Sequence, residues 1–138
     1  MLKHLTAAEL EAGLTHIRAA PKDNGPVELI VRRPAIDHRE VLETATLDLA
    51  QGLVGDNWLQ RGLGSMGAGS ARADMQLNLM NSRVIDLLAQ TKDRWPLAGD
   101  QFYVDIDLSA ANLSAGARLA IGSAVIEVTA EPHLGCKK

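Results

Sequence analysis

The chain has 138 residues, of which 46% are apolar and 22% charged, the balance of one ordinary globular domain. A net charge of −3 and an aromatic content of 3% argue against a basic, base-stacking nucleic-acid surface. The single cysteine excludes an intramolecular disulfide and a multi-cysteine zinc site. No apolar run approaches the roughly 18 residues of a transmembrane helix, and the N-terminus lacks a signal-peptide pattern. We therefore expect a cytoplasmic protein that binds neither nucleic acid nor membrane.

The N-terminal segment, residues 1–25, predicts a helix followed by a linker. Thr6 is followed three residues later by Glu9, which is the capping-box pattern of a helix start. Apolar residues then recur at helical spacing until the proline- and glycine-containing stretch at 21–26 ends the helix. We treat the whole chain, 1–138, as a single domain in which residues 26–138 form the β-rich portion.

After residue 26 the pattern changes from helical to β. Ser82 is expected to cap a short second helix, and residues 62–73, with four glycines, predict a long loop. A Gly122-Ser123 turn is expected to join the last two strands. Predicted strands lie at 27–32, 41–49, 75–79, 102–108, 118–121 and 124–129. This pattern is mainly β with short helices and favours a β-barrel or closed sheet.

Cys136 is the candidate nucleophile and metal ligand of the sequence. It lies close to His133, Lys137 and Lys138, and neighbouring cations favour the thiolate form of a cysteine. A thiolate is suited to soft or high-valent metals and to sulfur transfer. The alternative is an inert cysteine in a frayed chain end. Residue types alone leave both interpretations open.

Other charged groups have weaker patterns. Asp105 and Asp107 share one face of a predicted strand, where they form either a cation site or the solvated face of that strand. Arg61, Arg72 and Arg83 are either anion contacts or ordinary surface charges. The histidines lack metal-ligand spacing, and the glycine-rich loop lacks the Gly-Lys-Ser/Thr of a phosphate loop.

The order of several short motifs resembles the MOSC domain, the C-terminal domain type of molybdenum-cofactor sulfurases. Gly-Leu-Val-Gly-Asp at 52–56 is similar to the family's Gly-Leu-x-Gly-Asp element, and 75–81 resembles its strand leading into a short helix. Residues 97–101 stand where the family has a Gly-Asp or Gly-Glu-Asn stretch, and 113–129 resembles its late hairpin. Cys136 then takes the place of the family's single hallmark cysteine.

The resemblance implies a fold and a function. MOSC domains are β-barrels of the kind seen in the pyruvate kinase barrel domain, so such a barrel is expected over residues 26–138. The resemblance also implies that Cys136 binds the molybdenum of the molybdenum cofactor (molybdopterin) or carries sulfur to it. In relatives the domain presents sulfur to the cofactor or takes part in the reduction of N-hydroxylated compounds.

The same resemblance assigns six further residues to the cofactor site. Three cationic neighbours of the cysteine are expected to favour its thiolate and to attract the phosphate of the cofactor. Three residues at strand ends are expected to shape the pocket. In chain order, the six are Gly55, Asp56, Gln76, His133, Lys137 and Lys138.

The sequence departs from the family pattern in two places. Residues 99–102 are Gly-Asp-Gln-Phe rather than Gly-Glu-Asn-Leu, so the roles of that Glu and Asn are not carried over. The sequence ends two residues after Cys136, whereas family members continue with the strands that close the barrel. We expect a barrel incomplete at its C-terminus, closed either by a partner or not at all. An uncovered sheet edge then predicts a homo-oligomer.

Two functions follow from these observations. The first is a protein that binds the molybdenum cofactor or accepts sulfur from a donor through Cys136, with enzymatic sulfur transfer or N-hydroxy reduction if a partner completes it. The second is a non-catalytic barrel that binds a small anion or another protein. The first requires a reactive Cys136, whereas the second tolerates serine at that position.

Overall fold

A computed structural model describes residues 3–63 and 75–130. The helices of this part of the chain are α1 (Ala7–Arg18), α2 (Trp58–Leu63), α3 (Ser82–Ala89) and a 3-10 helix (Lys92–Ala98). The strands are β1 (Val27–Arg32), β2 (Glu40–Leu42), β3 (Leu47–Asp48), β4 (Gly52–Leu53), β5 (Leu79–Asn81), β6 (Phe102–Val104), β7 (Arg118–Ile121) and β8 (Ala124–Glu127). None of the described helices is long and apolar enough to span a bilayer.

The strands form one central sheet and two small ones. The central sheet has the order β2-β1-β6-β5; β1 is antiparallel to both of its neighbours, and β5 is parallel to β6. The pairs β3-β4 and β7-β8 are separate two-stranded antiparallel sheets. The expected short strands and short helices are present, but in a mixed α/β arrangement. The described residues form no closed barrel, so the predicted barrel is not confirmed.

The core lies on both faces of β6. This strand is internal in the central sheet, and all three of its residues are buried. On one face Tyr103 packs in a cluster with Val31, Ile85, Ala89 and Trp95. On the other face Phe102 and Val104 form a cluster with Ile106. Burial on both faces explains why a strand with an alternating pattern has an aromatic side chain at each of its first two positions.

Several predicted elements are confirmed. Thr6 and Glu9 form the capping box of α1, with Thr6 N–H donating to Glu9 Oε2 at 2.7 Å and Glu9 N–H to Thr6 Oγ1 at 3.2 Å. The strand at 27–32 is β1. The β7-β8 hairpin turns at Gly122, whose φ of 59° suits the first central position of a two-residue hairpin turn.

Other predicted elements are shorter or displaced. The run at 41–49 divides into β2 and β3 because β2 pairs with β1 whereas β3 pairs with β4. The strand predicted at 75–79 begins only at Leu79, and Asn81 rather than Ser82 caps α3, accepting from the N–H groups of Arg83 and Val84.

The strand predicted at 102–108 ends at Val104. Beyond it the main chain pairs with the linker that precedes β1, since Asp105 N–H donates to Pro26 O and Asp107 N–H to Pro21 O. Proline has no N–H to return a ladder bond, so regular pairing cannot continue there.

Tyr103 fastens the 3-10 helix to the central sheet. Its hydroxyl donates to the main-chain oxygen of Trp95 at 2.9 Å, and the two rings lie 5.9 Å apart. Burial raises the pKa of Tyr103 well above its ordinary value, and the negative charge of Asp100 raises it further. Arg39 and Arg33 lower that pKa, so both guanidinium groups act on this hydroxyl. The phenol therefore remains a neutral hydrogen-bond donor.

We expect the stability of the protein to fall at alkaline pH because of Tyr103. A pKa raised in the folded state gives stability that is complete below the unfolded value of 10.0 and is lost as pH rises through the folded value. The free energy of unfolding, measured by urea denaturation at each pH, should fall more steeply with rising pH for the wild-type protein than for Tyr103→Phe. Tyr103 is the only tyrosine, so ultraviolet absorbance reports its ionisation directly. Ionisation at an ordinary pKa without unfolding would contradict the assignment.

Candidate functional site

Asp56 is a buried carboxylate that joins three parts of the chain. Its Oδ1 atom accepts from the main-chain N–H of Arg33 at 2.7 Å, just after β1. Its Oδ2 atom accepts from the N–H of Trp58 at 3.0 Å, at the start of α2, and from Nε2 of Gln101 at 3.4 Å. The side chain is only 7% exposed. Because these donors share one carboxylate, the end of β1 and the start of α2 are held together.

Gln101 extends this connection to the segment before β5. Its Oε1 atom accepts from Asn78 N–H at 2.9 Å, and its main-chain N–H donates to Asn78 O at 3.1 Å. Its own carbonyl accepts from Val31 N–H at 2.8 Å. The residue is 1% exposed, so these bonds are shielded from competing water.

Two glycines before Asp56 allow close packing of neighbouring side chains. Gly52 and Gly55 have φ angles of 73° and 89°, in the left-handed region that favours glycine. A Cβ atom on Gly52 would lie 2.8 Å from Cγ of Gln76, and one on Gly55 would lie 2.6 Å from Nη1 of Arg32. That Nη1 atom donates to the main-chain oxygen of Val54 at 3.4 Å. The glycines thus serve the local packing of the 52–56 run.

Arg33 and Arg39 are two positive charges at the loop end of the β1-β2 hairpin. The last paired residues of the hairpin are Arg32 and Glu40, and Arg33 and Arg39 are the next residues on the loop side of that pair. Both positive charges lower the pKa of Tyr103, and two like charges near the same group repel each other. We call these two residues the arginine pair.

The arginine pair has hydrogen-bond donors that the described chain does not use. Both side chains are half-buried, and the Nε atom of each is buried with no partner among the described residues. The Nε atom of the neighbouring Arg32 is likewise buried without a partner among the described residues, but its Nη1 and Nη2 atoms donate to Val54 O and to Glu40. Nη1 of Arg33 lies close to the left-handed turn at Gly99, 3.4 Å from where a Cβ atom would be. Unused guanidinium donors of this kind suit carboxylate or phosphate oxygens.

Asn57, which follows Asp56 in the chain, also bonds to the main chain of Arg33. Its N–H donates to the main-chain oxygen of Arg33 at 2.7 Å, while its Oδ1 atom is buried without a partner in the described residues. Asp56 and Asn57 therefore both hold the backbone at Arg33 and fix where its side chain emerges from the end of β1.

The residues predicted for the cofactor site are only partly brought together. Gly55 and Asp56 lie against the end of β1. Gln76 instead donates from Nε2 to the main-chain oxygen of Leu49 at 2.8 Å and packs on Gly52, beside β3 and β4. The remaining predicted site residues lie outside the part of the chain that the structure describes: Cys136, His133, Lys137 and Lys138.

The two carboxylates considered for a cation site each have a cationic neighbour from the protein. Asp105 Oδ1 accepts from Arg83 Nε at 2.8 Å, and Asp107 Oδ2 lies 3.3 Å from Lys22 Nζ. A hydrogen bond from the main-chain N–H of Ser109 lowers the pKa of Asp107, with further lowering from the Ser109 hydroxyl and Lys22. No group of three or more potential His, Cys, Asp or Glu ligands occurs within residues 3–63 and 75–130.

Arg83 donates to Asp105 and to the main-chain oxygen of His16. Arg72 and the side chain of Arg61, the other predicted anion contacts, lie outside the described part of the chain.

Comparison of the chain with protein-family models, curated proteins and solved structures found no match. We therefore infer the function from the chemistry of the arginine pair and of Asp56.

The arginine pair was not predicted from the sequence, although a signal for it exists. Arg33 follows directly after the β1 run, and Arg39 precedes β2 by one residue. The two arginines come to the same end of the hairpin only because β2 begins at Glu40. The sequence pattern predicts a single strand at 41–49 and so does not indicate this hairpin.

We expect Asp56→Asn to destabilise the protein by about 2 kcal/mol, because one oxygen is lost and an amide N–H₂ then faces N–H donors. Asp86→Asn is a matched control on the exposed side of α3 and should change stability by less than about 0.5 kcal/mol. Urea denaturation of both variants measures the difference. Equal stability of Asp56→Asn and the wild-type protein would contradict the central role of this carboxylate.

Proposed function

We propose that this protein binds a small phosphate-bearing anion between Arg33 and Arg39. The observation that supports this function is the loop end of the β1-β2 hairpin, where two half-buried arginines each have a buried Nε donor with no partner among the described residues. An anion between the two groups replaces their repulsion with two attractive contacts. A pair of guanidinium groups also offers the planar, two-pronged donors that phosphate oxygens accept.

The buried negative charge of Asp56, whose carboxylate bonds to the main chain of Arg33, is compensated within the protein. Asp56 receives two main-chain N–H donors and one side-chain amide, so its charge is compensated by fixed dipoles. Its bonds restrain the backbone of Arg33, which reduces the entropy that the arginine side chain loses on binding a ligand.

Within this class of ligand we propose the molybdenum cofactor, on the strength of the resemblance to MOSC domains. The arginine pair fits the phosphate of the cofactor, and Cys136 is the proposed molybdenum ligand or sulfur carrier. When bound, the cofactor supplies the redox or sulfur-accepting centre. This hypothesis includes a MOSC-type barrel and a reducing cytoplasm that keeps the Cys136 thiol free.

The non-catalytic function, a module that binds an anion without redox chemistry, has the same arginine pair and no need of Cys136. The two hypotheses therefore differ in one residue. Anion binding depends on Arg33 and Arg39 in both, whereas retention of molybdenum depends on Cys136 only in the first.

Titration calorimetry with inorganic phosphate tests the anion site. We expect Arg33→Gln and Arg39→Gln each to weaken phosphate binding at least about tenfold, because each removes a charge-assisted contact. Arg118→Gln is the matched control, since the Arg118 side chain is 76% exposed and lies on the β7-β8 hairpin. Absence of binding to the wild-type protein, or equal weakening in all three variants, would refute the site.

Molybdenum and pterin content tests the choice of cofactor. The wild-type protein purified from a host that makes the molybdenum cofactor should contain both, Cys136→Ser should lack molybdenum, and Arg33→Gln should contain less pterin. If the wild-type protein binds phosphate but contains neither molybdenum nor pterin, the function is that of the non-catalytic module.

A further inference from the structure

Buried side-chain atoms without a hydrogen-bond partner are concentrated around the loop end of the β1-β2 hairpin. Among the described residues there are five such nitrogen or oxygen atoms, and three of them belong to Arg33, Arg39 and Asn57. Asn57 contacts Arg33 directly, since its N–H donates to the main-chain oxygen of Arg33 at 2.7 Å. Buried polar groups are nearly always paired, so a local group of unpaired atoms indicates a place for a ligand or an ordered water.

The three unpaired atoms are of two kinds. The Nε atoms of Arg33 and Arg39 are cationic donors, whereas Oδ1 of Asn57 is a neutral acceptor. The donors are not bonded to the acceptor, so the protein does not satisfy them by itself. A ligand that pairs with all three atoms must accept hydrogen bonds from the guanidinium groups and donate one to the amide oxygen. Such a ligand is an anion that still has an O–H or N–H group.

The main chain keeps Asn57 next to Arg33. Besides the bond from Asn57 N–H, the carboxylate of the preceding residue, Asp56, accepts from Arg33 N–H at 2.7 Å. Asn57 as a whole is half-buried, and the torsion that orients its amide group has a broad range. Its oxygen can therefore turn towards a donor on a ligand at Arg33, and it gains a hydrogen bond that it lacks in the free protein.

We propose that the anion bound at the arginine pair has an O–H or N–H group whose hydrogen bond Asn57 Oδ1 accepts, as hydrogen phosphate does and sulfate does not. This inference rests on the anion site proposed above and adds to it a residue that determines specificity. In a complex with sulfate, Asn57 Oδ1 receives no hydrogen bond. A site built to accept from a ligand O–H group discriminates strongly against an analogue that lacks the group.

Phosphate and sulfate form a matched pair of probes for this contact. Both are tetrahedral, and at mildly alkaline pH both are dianions, so the arginine pair attracts them with similar strength. They differ in one respect: inorganic phosphate retains a proton on one oxygen, whereas sulfate has none. The ratio of the two affinities therefore measures the contact with Asn57 separately from the attraction by the two arginines.

Titration calorimetry of the full chain with each anion tests the inference. We expect the wild-type protein to bind phosphate at least about tenfold more tightly than sulfate. Asn57→Leu removes the acceptor but keeps the main-chain bond to Arg33, so its phosphate affinity should fall to that for sulfate. Asn57→Asp keeps an acceptor and adds a negative charge, so it should bind both anions more weakly and still prefer phosphate.

The outcomes separate this inference from the anion site on which it rests. Equal affinity of the wild-type protein for phosphate and sulfate, or a preference for phosphate that persists in Asn57→Leu, would overturn the role of Asn57 and leave the anion site standing. Binding of neither anion would refute the site and the inference together. Circular dichroism checks that each variant is folded, and the comparison on the wild-type protein needs no variant.

Discussion

The arrangement of this protein depends on one buried carboxylate. Asp56 accepts main-chain hydrogen bonds at the end of β1 and at the start of α2, and a side-chain bond from Gln101, which precedes β6. A buried charge is tolerated only when such donors surround it. The restraint works in both directions, since the donors stabilise the carboxylate and the carboxylate fixes the three segments that contribute them.

The arginine pair follows from that restraint and from the hairpin register. Asp56 and Asn57 hold the backbone of Arg33, and Arg39 lies directly before β2, at the other end of the loop that begins at Arg33. Near the hydroxyl of Tyr103, the positive charges of Arg33 and Arg39 act against the negative charge of Asp100. In the proposed anion site, repulsion between the two guanidinium groups would reduce the stability of the free protein, and an anion bound between them would relieve it.

Local signals allowed part of the fold to be predicted. The capping box at Thr6 and the glycine turn at Gly122 are each determined by a few adjacent residues, and both are confirmed. The ends of the inner strands were not predictable in this way. Alternation continues past Val104, but the strand ends there because a proline-containing linker is its neighbour. The alternating pattern of a strand does not indicate which segment pairs with it, so this end could not be predicted from the sequence.

In the candidate site too, the features set by adjacent residues were predictable and those set by tertiary contacts were not. The 52–56 run was singled out for a cofactor pocket, whereas its described contacts are packing at Gly55 and main-chain hydrogen bonds at Asp56. Arg33 and Arg39 lie six positions apart and meet only through a register that depends on where β2 begins. Cys136 lies outside the described residues, and its role stays a prediction.

A double-mutant cycle between Arg33 and Arg39 tests whether the two side chains hold an anion together. The free energy of unfolding of the wild-type protein, Arg33→Gln, Arg39→Gln and the double variant gives the coupling between the two side chains. We expect an unfavourable coupling without phosphate and a favourable coupling at saturating phosphate. A coupling of the same sign and size in both conditions would contradict an anion held between the two arginines.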